Sequence, residues 1–427
     1  MNIQPSQCII KSISIKTQNN QVINQDNNFL EFFGSLDIYQ NMFSPFLTAE
    51  LIILDGASFI EKYNISGNED FEIEFQGYGT EDTSKYKFKI AELVTSILLP
   101  NLRAKQVAMR LVSEEFLVDC STSISKSYSI STKEIINDIV KIFLKSNKKM
   151  FIEESKSSPT IVIPYLSPFK ALDFIKQRTV SEKYKSSSFL FFENSNGFNF
   201  ATVEGIVDKE SKKKIQEFFQ FEAVSNSIKG PLRTDSDLHH IFSNYTVSSN
   251  FDLIATFKNG GLKNNVSQYD LTTKKYQSRL FLNQPGSSIF IDTTSNQNPL
   301  VSQSVFQQYS SNNSKPLLIP FSKYRDTNNS TSNFIFDNVA ERICFASLFT
   351  QKRTYIDIPG NVLLGAGSVI NLNVPRTNAL QTNKELNDMD SGLYLVTACK
   401  HSITNADTAK YDTHLELMRI GRGVFET

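Results

Sequence analysis

The chain has four histidines, His239, His240, His401 and His414, and any chemistry that uses imidazole must be built from them. Asp412, His414 and Glu416 stand at every second position of "KYDTHLELMR". On an extended strand that spacing puts all three on one face, where they would form an acid–base or metal cluster. No other histidine joins them at a recognised ligand spacing, so a solvated strand face is the preferred reading. His401 follows Lys400 and reads as a strand-end residue rather than a base. His239 and His240 are adjacent, so their side chains point apart in an extended chain, and they read as a loop entering a later β segment. The same adjacency separates the carboxylates of Glu114-Glu115 and Glu153-Glu154. A glycosidase dyad assembled from carboxylates distant in the chain stays open at this stage.

Cys8, Cys120, Cys344 and Cys399 form no CxxC pair and read as isolated buried thiols of a protein that folds in a reducing compartment. The glycine clusters "NGG" and "GAG" are turns, not phosphate-binding loops, and no GxSxG, HExxH or EF-hand pattern occurs. The sequence therefore assigns no catalytic residue, no cofactor-binding residue and no metal ligand, and it calls for no cofactor.

The elements that must position these residues come from a chain of 427 residues, long enough for two to four domains. It is 40% hydrophobic and 21% charged, a globular composition, with a formal net charge of +0. That balance holds no basic surplus to neutralise a phosphate backbone and disfavours generic nucleic-acid binding. The opening "MNIQPSQCIIKSISIK" lacks the apolar core of a signal peptide. No run approaches the ~18 apolar residues of a membrane helix.

The first hundred or so residues read as β. "FEIEF" (71–75) and "YKFKI" (86–90) alternate strictly, which predicts a hairpin with Phe71, Ile73 and Phe75 facing Tyr86, Phe88 and Ile90. Its other face sets Glu72 and Glu74 against Lys87 and Lys89. "FLTAELIILDG" ends a strand at Asp55-Gly56, and "QVAMRLV" alternates through Val107, Met109 and Leu111. After Val112 the pattern changes. Ser131 and Glu134 have capping-box spacing, ahead of one apolar helical face carrying Ile135, Ile136, Ile139, Val140, Ile142 and Phe143. Ser167 and Pro168 open a second helix, and a hairpin turns at Asn194–Gly197. The lysine run Lys212–Lys214 reads as solvated. Further on, two strands are expected around Gly260-Gly261 and a helix from Asn338 to about Gln351. β character returns at "RTYIDIPGNVLLGAGSVINLNVP", with Ile370, Leu372 and Val374 on one face.

The two ends share ordered words. Leu93-Val94-Thr95, Ala104-Lys105 and Met109-Arg110-Leu111 recur in the same order as Leu395-Val396-Thr397, Ala409-Lys410 and Met418-Arg419-Ile420. Their common order predicts related β domains at the ends. In the later copy, Leu393 to Val396 are apolar on both faces. The next strand is one-sided, with Tyr411, Thr413, Leu415 and Leu417 opposite Asp412, His414 and Glu416.

This arrangement resembles the baseplate hub protein of contractile-tailed bacteriophages of the T-even and cyanophage type. The resemblance is carried by "FLEFFGSLDIYQNMFSPFLTAELIILDG", "PFKALDFIKQRTV" with "SSFLFFENSNGFNF", "IDIPGNVLLGAGSVINL", and "SGLYLVTACKHSITNADTAKYDTHLELMR". It implies a mainly β fold with two similar antiparallel, tail-tube-like β-barrel domains and an inserted α+β domain. The divisions expected are 1–112 for the first barrel, 113–238 with 277–347 for the insertion, and 239–276 with 348–427 for the second barrel and C-terminal tail. It also implies a non-enzymatic, structural role as a homotrimer whose pseudo-sixfold ring adapts a hexameric tail tube to a trimeric central spike. The partners implied are the tail-tube ring and the spike, then the tape measure and baseplate wedge proteins. Genomic DNA would be met only in passage, and stable membrane insertion is not expected. The location would be the virion tail baseplate, assembled in the host cytoplasm. The Ser/Asn-rich segment near 293–334 departs from the family pattern. A tail-tip cell-wall hydrolase and a glycan-binding adhesin are the alternative readings.

Overall fold

A computed structural model describes residues 6–24, 29–77, 81–99, 104–156, 161–184, 186–220, 240–249, 263–270, 276–282, 315–321, 353–376, 390–405 and 409–421, with Ile254, Lys274, Arg342, Leu386 and Asn387 as single residues besides. The N-terminal part is β1 (Cys8–Lys16), β2 (Val22–Asn24), α1 (Phe29–Phe32), β3 (Phe33–Asn41), β4 (Thr48–Asp55), α2 (Phe59–Lys62), β5 (Asp70–Gly77), β6 (Thr83–Leu99) and β7 (Ala104–Val112). The predicted hairpin is β5–β6, with Phe71 opposite Phe88 and Ile73 opposite Tyr86. Its charged face keeps only one of the expected pairs: Lys87 lies 3.2 Å from Glu72, whereas Glu74 stands opposite Lys85 and Lys89 lies 2.8 Å from Asp70. Val107, Met109 and Leu111 of β7 are all buried. The Asp55 carboxylate ends β4 by accepting bonds from the backbone N–H groups of Ala57, Phe59 and Ile60, which starts α2.

The middle part is α3 (Glu114–Ser121), β8 (Ile124–Tyr128), α4 (Thr132–Asp138), β9 (Met150–Ile152), β10 (Ile161–Leu166), α5 (Pro168–Lys176), β11 (Leu190–Asn194), β12 (Gly197–Ala201) and α6 (Val203–Ser211). The capping box at Ser131 and Glu134 forms with both of its bonds. The helix then widens into a π turn over Ile139–Phe143. That turn shifts the register of the predicted apolar face: Ile135, Ile136, Ile139 and Val140 are buried, but Ile142 is 60% exposed. Ser167 caps α5 by position only, and the bond to the Phe169 N–H comes instead from Asp119 Oδ1 at 2.6 Å. The β11–β12 turn needs Gly197, which has φ +117° and leaves no room for a Cβ beside the Lys149 carbonyl. The run Phe189–Phe192 is buried on both faces. Phe189 and Phe191 join the core of this part, while Phe192 packs with Leu395, Ala366 and Met418 of the C-terminal part. Lys212–Lys214 come after the end of α6, exposed, as expected.

The C-terminal part is β13 (Gln216–Gln220), β14 (Ile241–Ser249), β15 (Lys263–Asp270), β16 (Tyr276–Leu282), β17 (Lys315–Phe321), β18 (Arg353–Pro359), β19 (Val369–Asn373), β20 (Gly392–Asn405) and β21 (Ala409–Gly421). Of the helix expected from Asn338 only Arg342 is described, and of the segment near 293–334 only β17. Strands β19, β13, β14, β18, β21 and β20 close into a six-stranded barrel, because β19 also pairs with β20. β13 runs parallel to both of its neighbours, the one departure from antiparallel order in this barrel among the described residues. Ile370, Leu372 and Val374 are buried as predicted, in a core with Phe218, Phe242, Tyr394 and Leu417. Strands β15–β17 form a separate three-stranded sheet.

The molecule is thus mainly β with α+β elements between its ends, and both ends contribute to one sheet. Its order runs β14-β18-β21-β20-β3-β4-β7-β6 through the middle. Two four-strand sets therefore succeed each other in the same internal order. In each, a long hairpin (β20–β21, β6–β7) leads through one strand (β18, β4) to a last one (β14, β3). The shared words fall at matching places, since Leu93 pairs with Met109 and Leu395 with Met418. A bulge comes within two residues in both hairpins.

An ion network with two buried carboxylates joins the middle part to the first barrel, the one that β3, β4, β7, β6, β5 and β1 complete with β20–β21 through the bridge of Gln7 to Lys410. Lys148 Nζ lies 2.6 Å from both Glu115 Oε2 and Glu193 Oε1. Glu193 Oε2 accepts from Ser113 Oγ at 2.7 Å and from the Leu47 N–H at 3.1 Å, at the ends of β7 and β4. Burial raises the Glu193 pKa, opposed by the Lys148 ammonium. Burial pulls Lys148 down, and the two carboxylates outweigh it, so its pKa is raised. Lys148→Met leaves both buried carboxylates without their cation, and a loss of about 3–5 kcal/mol is expected in chemical denaturation. Adding Glu115→Gln and Glu193→Gln should recover part of it; a loss below about 1 kcal/mol for the single variant would show that the network does not hold the joint.

Candidate assembly interface

The β20–β21 hairpin belongs to both barrels. The first residues of β20 pair with β19, Leu395 opposite Val369, and seven later ones (Ala398–Thr404) pair with β3 (Asn41–Ser35). Inward side chains make the same passage. Cys399, Leu415 and Leu417 lie in the second barrel's core, whereas Ile403 and Tyr411 lie in the first barrel's core. The residues just before β1 reach the same hairpin, where Gln7 bridges Lys410 and the Tyr411 N–H donates to Ser6 O.

His401 stands where one core gives way to the other. It is fully buried in mid-strand, not at a strand end as the sequence suggested. A chain of bonds sets its protonation. The Ala366 N–H donates to Gln40 Oε1 at 3.2 Å, which orients the Gln40 amide. The amide nitrogen then faces Tyr86 Oη at 3.0 Å and His401 Nε2 at 3.3 Å. Nε2 must accept, so Nδ1 carries the proton and donates to Tyr411 Oη at 2.8 Å. Burial alone lowers the His401 pKa to about 4 and pushes Cys399 up; Tyr86 is raised by burial first and by Cys399 second, against the hydrogen bond to Gln40. Gly360 closes over the knot: its N–H donates to Tyr411 O at 2.9 Å, and a Cβ there would overlap the Tyr411 ring. Sequence reasoning missed His401, Gln40 and Tyr411 as a set because they are far apart in the chain. The one available signal was His401 falling in phase with Cys399 and Ile403 on an apolar face.

The outward face of the same strands is charged and internally paired. His414 bonds Asp357, Asp412 lies 2.7 Å from Lys410, and Glu416 Oε1 accepts from Thr397 Oγ1 at 3.0 Å. The three residues of the possible cluster are thus each drawn to a different partner. Among the described residues no group of three His, Cys, Asp or Glu side chains is placed to hold a metal ion. His240 Nδ1 meets Glu217 O at 3.0 Å just before β14, and His239 lies outside the described residues. The paired carboxylates also separate: Glu115 joins Lys148, while Glu153 Oε2 accepts from the Thr202 N–H at 2.8 Å. Cys8 and Cys399 are buried, with burial raising Cys8 to about 11, but Cys120 is exposed at the end of α3, contrary to expectation. Cys344 lies outside the described residues. Among the described residues no helix is long and apolar enough to cross a membrane.

The first barrel's own hairpin differs in one respect. β6 pairs with β5 only as far as Lys89, and its far half, Ala91–Leu99, has β7 as its one strand neighbour among the described residues. Leu93, Val94, Ile97 and Leu98 are 47%, 41%, 55% and 64% exposed.

This architecture is similar in fold to that of two solved tail proteins. The chain superposes on a prophage MuSo2 43 kDa tail protein from Shewanella oneidensis with a TM-score of 0.53 at 10% identity, over 96% of this chain and 98% of that one. It superposes on a tail protein from Neisseria meningitidis MC58 with a TM-score of 0.52 at 9% identity, over 96% of each chain. No protein-family model matches the sequence, and no curated protein matches it significantly.

A pH dependence arises from the knot. An unfolded histidine binds its proton near pH 6.5, the buried one only near 4. The stability tied to neutral His401 is complete above about pH 6.5 and is lost as pH falls toward 4, by about 3 kcal/mol in all. Thermal midpoints of the protein and of His401→Asn, measured from pH 7 to 4, should converge as the pH falls. Parallel curves would remove His401 as the titrating group.

Proposed function

We propose that the chain is a hub subunit of a phage-type contractile tail, acting as a structural element. Three copies would form a ring with pseudo-sixfold character that adapts a hexameric tail tube to a trimeric spike and surrounds the path of the genome. The observation that carries this reading is the repeat. One polypeptide holds two four-strand sets of the same order, with the same Leu–Met pair in each hairpin. A subunit with two like modules lets threefold symmetry meet sixfold symmetry without six identical chains. The tail-protein fold supports the setting. Domain limits near residues 112, 238, 276 and 347 go with this reading. So do contacts to tape measure and wedge proteins, assembly in the host cytoplasm and residence in the virion baseplate.

Native mass spectrometry of the purified chain, alone and with a candidate trimeric spike protein, tests the proposal. A trimer is expected. A monomer under both conditions would refute it, and clearing of a peptidoglycan zymogram by the chain would move the reading to a wall hydrolase.

A further inference from the structure

We infer that a cavity where all three parts of the chain meet is a docking site for an acidic segment of a partner protein, one with an aliphatic side chain among its carboxylates. The cavity has a volume of about 370 Å³. It lies between the start of β6, the β11–β12 turn, the residues that follow α6 and the turn before β19. That volume is at the small end for ligand pockets and suits a few side chains rather than a folded domain. The inference does not depend on the hub reading. Its positive charge comes mostly from the lysine run after α6, whose members differ. Lys212 turns to Asp208 at 3.1 Å and Lys213 to Glu210 at 2.7 Å. Lys214 has no ion-pair partner among the described residues. Lys85 lines the cavity from β6 and has Glu72 at 3.6 Å, long for an ion pair. Three lysines and one glutamate line the cavity, which leaves it two net positive charges.

The wall before β19 is apolar and stiffly held. Val362 lies in the first barrel's core and Leu364 in the second's, while Leu363 between them is 58% exposed. The Leu363 N–H donates to Asn361 Oδ1 at 3.0 Å. Asn361 is itself fixed, its N–H donating to Thr413 Oγ1 at 3.0 Å and its Nδ2 to Gln216 Oε1 at 2.8 Å. With both neighbours anchored in different cores, Leu363 cannot swing into either. A lone exposed leucine is ordinary. One pinned on the wall of a basic cavity offers an apolar contact and ammonium groups at a set spacing, with little ordering left to be done on binding. Carboxylates that reach Lys214 and Lys85 would form charge-assisted bonds, strengthened where the walls exclude water. An aliphatic side chain between them would cover Leu363. A small inorganic anion would use the lysines and leave Leu363 bare.

Fluorescence anisotropy of the full chain with a labelled peptide of sequence Glu-Glu-Leu-Glu-Glu tests this. The unaltered chain should bind it, and Lys214→Glu and Leu363→Ser should each weaken binding by about tenfold or more. Lys133→Glu, an exposed lysine of α4 outside the cavity, makes the same change of charge and should leave the affinity as it was. A peptide with serine in place of its leucine should bind about tenfold more weakly than the first. Lys214→Gln replaces Lys214→Glu if circular dichroism shows that the charge-reversed chain fails to fold. No binding by the unaltered chain would overturn the inference. So would equal losses from Lys214→Glu and Lys133→Glu, which mark unspecific attraction, or equal binding of the two peptides, which marks an anion contact without a docked side chain. None of these results would bear on the hub reading.

Discussion

The β20–β21 hairpin is the constraint on which the rest of the structure depends. It is one pair of strands with inward side chains in two cores: Leu415 and Leu417 in one barrel, Ile403 and Tyr411 in the other. A strand pair cannot slip by one residue without turning every inward side chain outward. The two barrels are therefore in register with each other, not merely tethered.

The polar knot at the crossing acts on the same register. A tyrosine, a histidine and a glutamine buried together are costly unless each finds its partners. Here the Ala366 N–H orients Gln40, Gln40 fixes the His401 tautomer, and His401 meets Tyr411. These groups come from β3, β20, β21 and the turn before β19, so their bonds are complete only when both barrels are assembled. The Lys148 network does similar work at the joint with the middle part. In both places the chain puts a satisfied polar group where an apolar contact would tolerate sliding.

The two hairpins show how one local pattern serves two ends. Both carry Leu-Val-Thr, a nearby bulge and Met-Arg in the returning strand, so their local conformations agree. Their continuations differ. After Val396 the chain runs on with Cys399, His401 and Ile403 in phase, which fits a core. After Val94 it has Ile97 and Leu98 side by side, which fits no single-sided surface. One arm is folded into its own molecule, and the other is left facing outward.

Much of this was legible in the sequence because it rests on period and local chemistry. Alternation set the β5–β6 and β7 faces, the capping box began α4, and the shared words identified the two hairpins. The tail-hub resemblance led to the mainly β architecture. Where the reading erred, period alone was not enough: a π turn changed the helix's own phase and moved Ile142 to the surface, and Cys120 came to lie exposed on α3. His401 looked like a strand-end residue because nothing adjacent to it marks the boundary between two cores. The sequence by itself determined which segments are strands and which of their faces are apolar, since a side chain's direction alternates with every residue. Only the tertiary structure decided which strands become neighbours, that one hairpin spans both barrels and that another has, beyond Lys89, a single strand neighbour among the described residues. Strand pairing joins residues hundreds of positions apart, and no short-range pattern encodes that choice.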